Sequence, residues 1–126
     1  MTLQSDAAYV LAYLSRFRSS RTPLRNTTYI AARLKDKNPE TDKRYTAADL
    51  ILVIDWFVQD WMPRWAGRGL DLSHYLHPST IFGRQNFRNK YYPRAEEWAE
   101  NGRVPFDDAQ ADELEQRRED VAKLFR

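Results

Sequence analysis

The sequence predicts an all-α fold, a compact bundle of about five to six helices. Apolar residues recur at helical spacing, and prolines and glycines cut these stretches into helix-sized lengths. No β-hairpin signal, internal repeat or glycine-rich linker competes with that pattern. With 126 residues the chain suits one domain. That length buries roughly two-thirds of the extended surface, enough for a core without covalent staples.

The first helix is expected from Asp6 to about Arg18, capped by Ser5. Ala7, Val10, Leu14 and Phe17 share one face, and Tyr9 and Tyr13 share a neighbouring one. Residues Ser19 to Pro23 break the pattern, and a shorter helix starts near Asn26 with Ile30 and Leu34 as its buried pair. The polar, aperiodic segment Asp36–Arg44 reads as an exposed loop. Thr46 then caps the strongest element, Ala47 to about Met62. Its stripe of Leu50, Val53, Ile54, Phe57, Val58 and Trp61 follows i, i+3, i+4, i+7, i+8, i+11. Leu52 and Trp56 lie on the other side, which makes this the central helix, and Pro63 is expected to end it.

Gly67 and Gly69 mark a turn. The segment from Tyr75 to Phe82 reads as an architectural plug, with Pro78 starting a short helix and Gly83 as its left-handed exit. Arg84 to about Tyr92 forms another helix, carrying Phe87 and Tyr91 on one face and ended by Pro93. The last helix begins at Asp107 or Asp108, where Asp107 and Gln110 have capping-box spacing. On this reading residues 1–94 are the helical domain and residues 95–126 an acidic helical extension of it.

There is no cysteine, which excludes disulfides, thiolate metal sites and thiol catalysis. The amino end lacks a signal-peptide profile, and the longest apolar run, Leu50–Ile54, is far short of a membrane span. A cytoplasmic protein is expected. The net charge of +2 hides an asymmetry. Residues 1–94 hold fifteen Lys/Arg against eight Asp/Glu, and residues 95–126 hold five against ten. A basic body with an acidic tail suggests contact with a polyanion, or simple solubility.

No catalytic signature frames the serines and acids, and no phosphate-cradling glycine loop occurs, so no enzyme and no cofactor is expected. His74 and His77 are spaced i, i+3 near Asp71, but Pro78 disfavours a regular helix through both; a hydrogen-bonded structural histidine is favoured over a metal ligand. Two basic clusters remain. Arg16, Arg18, Arg21 and Arg25 form the first, continued by Arg33, Lys35, Lys37, Lys43 and Arg44. Arg84, Arg88, Lys90 and Arg94 form the second, interleaved with Phe87, Tyr91 and Tyr92. Guanidinium groups neutralise phosphates and exposed rings stack on bases, but for Phe87 and Tyr91 a place in the core is favoured, with the arginines either solvated or on phosphates.

The stretch Leu72–Tyr92, LSHYLHPSTIFGRQNFRNKYY, resembles a conserved domain at the carboxyl end of many bacteriophage replication proteins. That family carries a Tyr-Leu-Arg-Pro-x-Thr-Leu-Phe element and then a Lys-Phe-x-x-Tyr-Leu element. The counterparts are Tyr75, Leu76, Pro78, Thr80, Ile81 and Phe82, then Phe87 and Tyr91. Upstream, Tyr13-Leu14, Ala32-Arg33-Leu34, Tyr45-Thr46 with Asp49, and Trp61 are similar to further family elements in the same order. Ser15 and His77 depart from the pattern.

The resemblance implies a primosome-type (DnaD-like) helical domain and a non-enzymatic role in phage DNA replication. Its implied partners are single-stranded DNA, bound without sequence preference, and the replicative helicase or another replication protein. Arg16, Arg18, Arg21, Arg25, Arg84, Arg88, Lys90 and Arg94 are the candidate nucleic-acid contacts. Leu114, Arg118, Val121 and Phe125 are the candidate protein contacts, with a homodimer as another use of that seam. The alternative is a phage protein–protein interaction module that modulates a host or phage factor without touching DNA.

Overall fold

Thr2, rather than Ser5, caps the first helix in the computed structural model, which describes residues 2–18 and 24–103. The Thr2 hydroxyl accepts the Ser5 backbone N–H at 3.1 Å, so α1 (Leu3–Ser15) starts a turn earlier than expected. It also ends earlier. Phe17 therefore leaves the expected stripe and lies exposed, edge-on to Tyr13 at 5.4 Å, while Ala7, Val10, Leu11 and Leu14 are buried. Thr27 stands at the N-cap of α2 (Thr28–Lys35), and the Asn26 carboxamide accepts the Thr28 N–H. Ile30 and Leu34 of α2 are buried as expected.

The segment expected as an exposed loop folds back on itself. Lys37 and Arg44 form an isolated antiparallel bridge, the one β-type pairing among the described residues, and Asn38 at its neck is buried. Thr46 and Asp49 then make a full capping box for α3 (Ala47–Trp56). Leu50, Val53, Ile54, Phe57 and Trp61 are all buried, and so is Trp56 on the other side. α3 packs against α1 on one flank and α7 (Tyr92–Glu100) on the other, which makes it the central element.

Neither Pro63 nor Pro93 ends its helix. Each is preceded by a π-helical turn, Phe57–Trp61 and Phe87–Tyr91. Met62 N–H bonds to the Phe57 carbonyl and Tyr92 N–H to the Phe87 carbonyl, one residue further back than in an α-helix. A proline inside a regular helix lacks a donor and clashes with the carbonyl four residues before it. The wider π turn moves that carbonyl aside and takes up the extra residue. The chain continues as α4 (Met62–Ala66) after the first proline and through α7 after the second. Two long rods result, residues 47–66 and 84–100. Ala95 and Trp98 are core residues, so the division expected at residue 94 falls inside a helix.

Between the rods runs a 3₁₀ turn, Ser73–Tyr75, then α5 (Pro78–Ile81) and α6 (Arg84–Asn86), which opens the second rod. His77 caps α5: its Nδ1 accepts the Ser79 N–H at 3.2 Å. Gly83 is not left-handed, since its φ is −56°. Glycine is required there for another reason, because a Cβ would lie 2.7 Å from the Ser79 carbonyl oxygen. The described residues are thus an all-α bundle of five helical rods. No helix among them is long and apolar enough to cross a membrane.

Candidate functional site

Both π turns deliver rings to one place. Tyr91 of the second lies 5.7 Å from Phe57 and 6.4 Å from Trp61 of the first, measured between ring centroids. These three rings floor an open groove of about 330 Å³. Trp65, Leu70, Tyr75 and Lys90 are among the residues that wall it. The floor is buried: Trp61 is 8% exposed and Tyr91 6%. The rim is not: Leu70 is 48% exposed and Tyr75 46%.

Cations crowd the same rings. The Arg94 Cζ stands 4.9 Å from the Trp61 centroid, Lys90 Nζ 5.6 Å and Arg64 Cζ 5.8 Å. Lys90 also lies 5.7 Å from the Tyr91 ring, and Arg68 sits 5.6 Å from Trp65. Cation–π attraction of this kind orients a long side chain that would otherwise sweep through solvent. Arg64 is further fixed by donating from Nη2 to Oδ2 of the buried Asp60 at 2.9 Å. Burial pushes the Tyr91 phenol up in pKa, with Arg94 pulling the other way, so the floor stays uncharged at neutral pH. The Trp65 indole N–H is buried without a hydrogen-bond partner. The groove therefore joins apolar contact area, one exposed ring and ordered positive charge.

The second basic cluster is split between two neighbourhoods. Lys90 and Arg94 face Trp61, whereas Arg88 turns toward α2 and pairs with Asp36, Nε to Oδ2, at 3.6 Å. Asp36 also receives Arg33 at 3.9 Å, and Arg84 is exposed. Of the first cluster, Arg16 lies over Tyr13 at 5.6 Å, Arg18 is half-buried and Arg25 exposed. These residues are not part of the groove lining. Arg21 and the seam of Leu114, Arg118, Val121 and Phe125 lie outside the described residues.

The core placement favoured for Phe87 and Tyr91 is borne out. Phe87, Tyr91 and Tyr92 are all buried, held edge-on or tilted against Tyr45, Phe82 and Trp56. The exposed ring at the groove is Tyr75, from the segment expected to be a plug. Leu76, Pro78, Ile81 and Phe82 of that segment do fill the core. Arg64 and Arg68 were missed altogether. Their signal was present as a doubled Trp-x-x-Arg, Trp61 to Arg64 and Trp65 to Arg68, a spacing that sets cation over ring on one helical face for the first pair and carries the second into the turn after α4. His74 and His77 gather no third ligand: no group of three or more His, Cys, Asp or Glu among the described residues is placed to hold a metal.

No protein-family model, curated protein or solved structure matches the chain.

Proposed function

We propose that this protein is a non-enzymatic accessory of bacteriophage-type DNA replication that binds single-stranded nucleic acid, without sequence preference, along the Trp61 groove. One observation carries the reading: cations ordered by a buried aromatic floor stand beside exposed apolar and aromatic groups. Unpaired strands need that combination, since phosphates seek fixed cations and bases seek flat apolar surfaces. Lys90, Arg94 and Arg68 take phosphates. Tyr75 and the half-buried Trp65 take bases. In this reading a helicase or another replication protein is met by the carboxyl-terminal segment that carries Leu114, Arg118, Val121 and Phe125.

Tryptophan fluorescence tests the assignment directly, because Trp61 and Trp65 report on the groove. Titrating unlabelled oligothymidylate into the protein at low salt is expected to quench emission. Tyr75→Ala is expected to weaken binding by about 1–3 kcal/mol, the usual contribution of one stacked base. The pair Lys90→Gln and Arg94→Gln is expected to weaken it more and to reduce its salt dependence. Unchanged affinity in both variants rules the groove out, and no binding at low salt rules the reading out.

A further inference from the structure

We propose that Arg33, Arg84 and Arg88 form a binding site for a phosphate-type oxyanion where α2 meets the start of the second rod. Arg33 is 8% exposed, and its Nε and Nη1 have no hydrogen-bond partner. Its nearest carboxylate oxygen, Asp36 Oδ2, stands 3.9 Å away and is itself without a hydrogen bond. The same oxygen is shared with Arg88 Nε at 3.6 Å. One carboxylate thus stands between two guanidinium groups and satisfies neither with good geometry. Arg84, on the same rod as Arg88, has no ion-pair partner among the described residues and lies near enough to act on Arg33. Burial holds the Arg33 pKa below the usual arginine value; Asp36 opposes this, and Arg84 and Arg88 press it further down.

Two guanidinium groups sharing one carboxylate, with a third near enough to act on them, leave positive charge uncompensated in a partly desolvated place, which is unfavourable unless another anion shares it. An oxyanion with three or four oxygens answers the geometry, because it accepts from two guanidinium forks at once. Arg84 is the open side of the site and its exposed gate, while the buried Arg33 supplies charge from beneath. The ligand chemistry is a phosphate oxyanion, either a free phosphate or a phosphodiester of a nucleic-acid backbone. The site stands apart from the groove lining, so it holds or fails independently of the function proposed above.

Thermal unfolding of the full chain in inorganic phosphate, against chloride at matched ionic strength, is the test. A saturable rise in Tm is expected, about 4 °C at tenfold above the half-saturating concentration. Arg84→Gln, which alters an exposed side chain, is expected to remove most of that rise. Lys90→Gln with Arg94→Gln is expected to leave it intact. Unphosphorylated oligothymidylate separates the two sources: competition with phosphate identifies a backbone phosphodiester, and its absence identifies a free phosphate. Equal Tm in phosphate and chloride overturns the proposal. So does a rise that fails to saturate and persists in Arg84→Gln, since that is the general effect of an excluded salt.

Discussion

Asp55 is the buried acid around which three distant pieces of chain are tied. It sits on α3, accepts the Tyr13 hydroxyl from α1, and pairs with Arg103 at 3.5 Å beyond α7. The hydrogen bond to Asp55, then burial, raise the Tyr13 phenol to about 12 from its ordinary 10.0. The sign follows from linkage. A pKa raised on folding means that the folded state keeps its proton longer, so the stabilisation is complete below pH 10 and lost as pH rises toward 12. Tyr13→Phe is therefore expected to lower Tm at pH 7 and to make its fall above pH 10 shallower. Burial also raises Tyr45, Tyr91 and Tyr92, so part of the alkaline fall is expected to persist. An unchanged slope would separate Tyr13 from the effect. Phe57 tests the core itself. It is 1% exposed and packed against Trp56 and Tyr91. Phe57→Ala is expected to cost on the order of 3–5 kcal/mol by urea titration, through lost burial and a cavity.

At the scale of elements, the two π turns show why proline misleads as a terminator. Phe57-x-x-x-Trp61-x-Pro63 and Phe87-x-x-x-Tyr91-x-Pro93 share one form, thirty positions apart. A π turn forfeits regular hydrogen bonding and is rare on local grounds. Here it is held by long-range contacts, because Tyr91 reaches Trp56, Phe57 and Trp61 on the opposite rod. Apolar periodicity found the helices, since burial of one face is a property of spacing alone. It did not find their continuation past proline, which depends on a partner element that spacing does not describe. Gly83 offers an element-scale test. Its backbone is ordinary, but a Cβ meets the Ser79 carbonyl at 2.7 Å, and a carbonyl inside α5 has no room to yield cheaply. Gly83→Ala is expected to destabilise by about 1–3 kcal/mol, as other overpacking changes do. A neutral or stabilising result would place α5 and α6 further apart.

At the scale of the molecule, charge is sorted by packing rather than by sequence neighbourhood. Lys90 lines the groove and Arg94 stands over its Trp61 ring, while Arg84 and Arg88 lie at the α2 junction, though all four fall within eleven positions. A groove with roughly three to five phosphate contacts predicts a slope of about −2 to −4 for log affinity against log salt on single strands. A slope near zero with retained binding would make stacking, not charge, the source of affinity. Deleting residues 107–126 removes much of the acidic tail, and tighter oligonucleotide binding after deletion is expected if that tail screens the basic body.

Helix positions, the Thr46 cap, the burial of Leu50, Val53, Ile54 and Phe57, and the basic bias of the first ninety-four residues were legible in the amino-acid order. Each is local: caps act over three residues, apolar stripes over two turns, and charge is counted without a fold. The candidate sites were not legible in that way. Lys90 and Arg94 reach Trp61 from the other rod, and Arg33 meets Arg88 only through Asp36. Such meetings are set when the rods pack, because the same cations on unpacked helices would have water as their nearest neighbour.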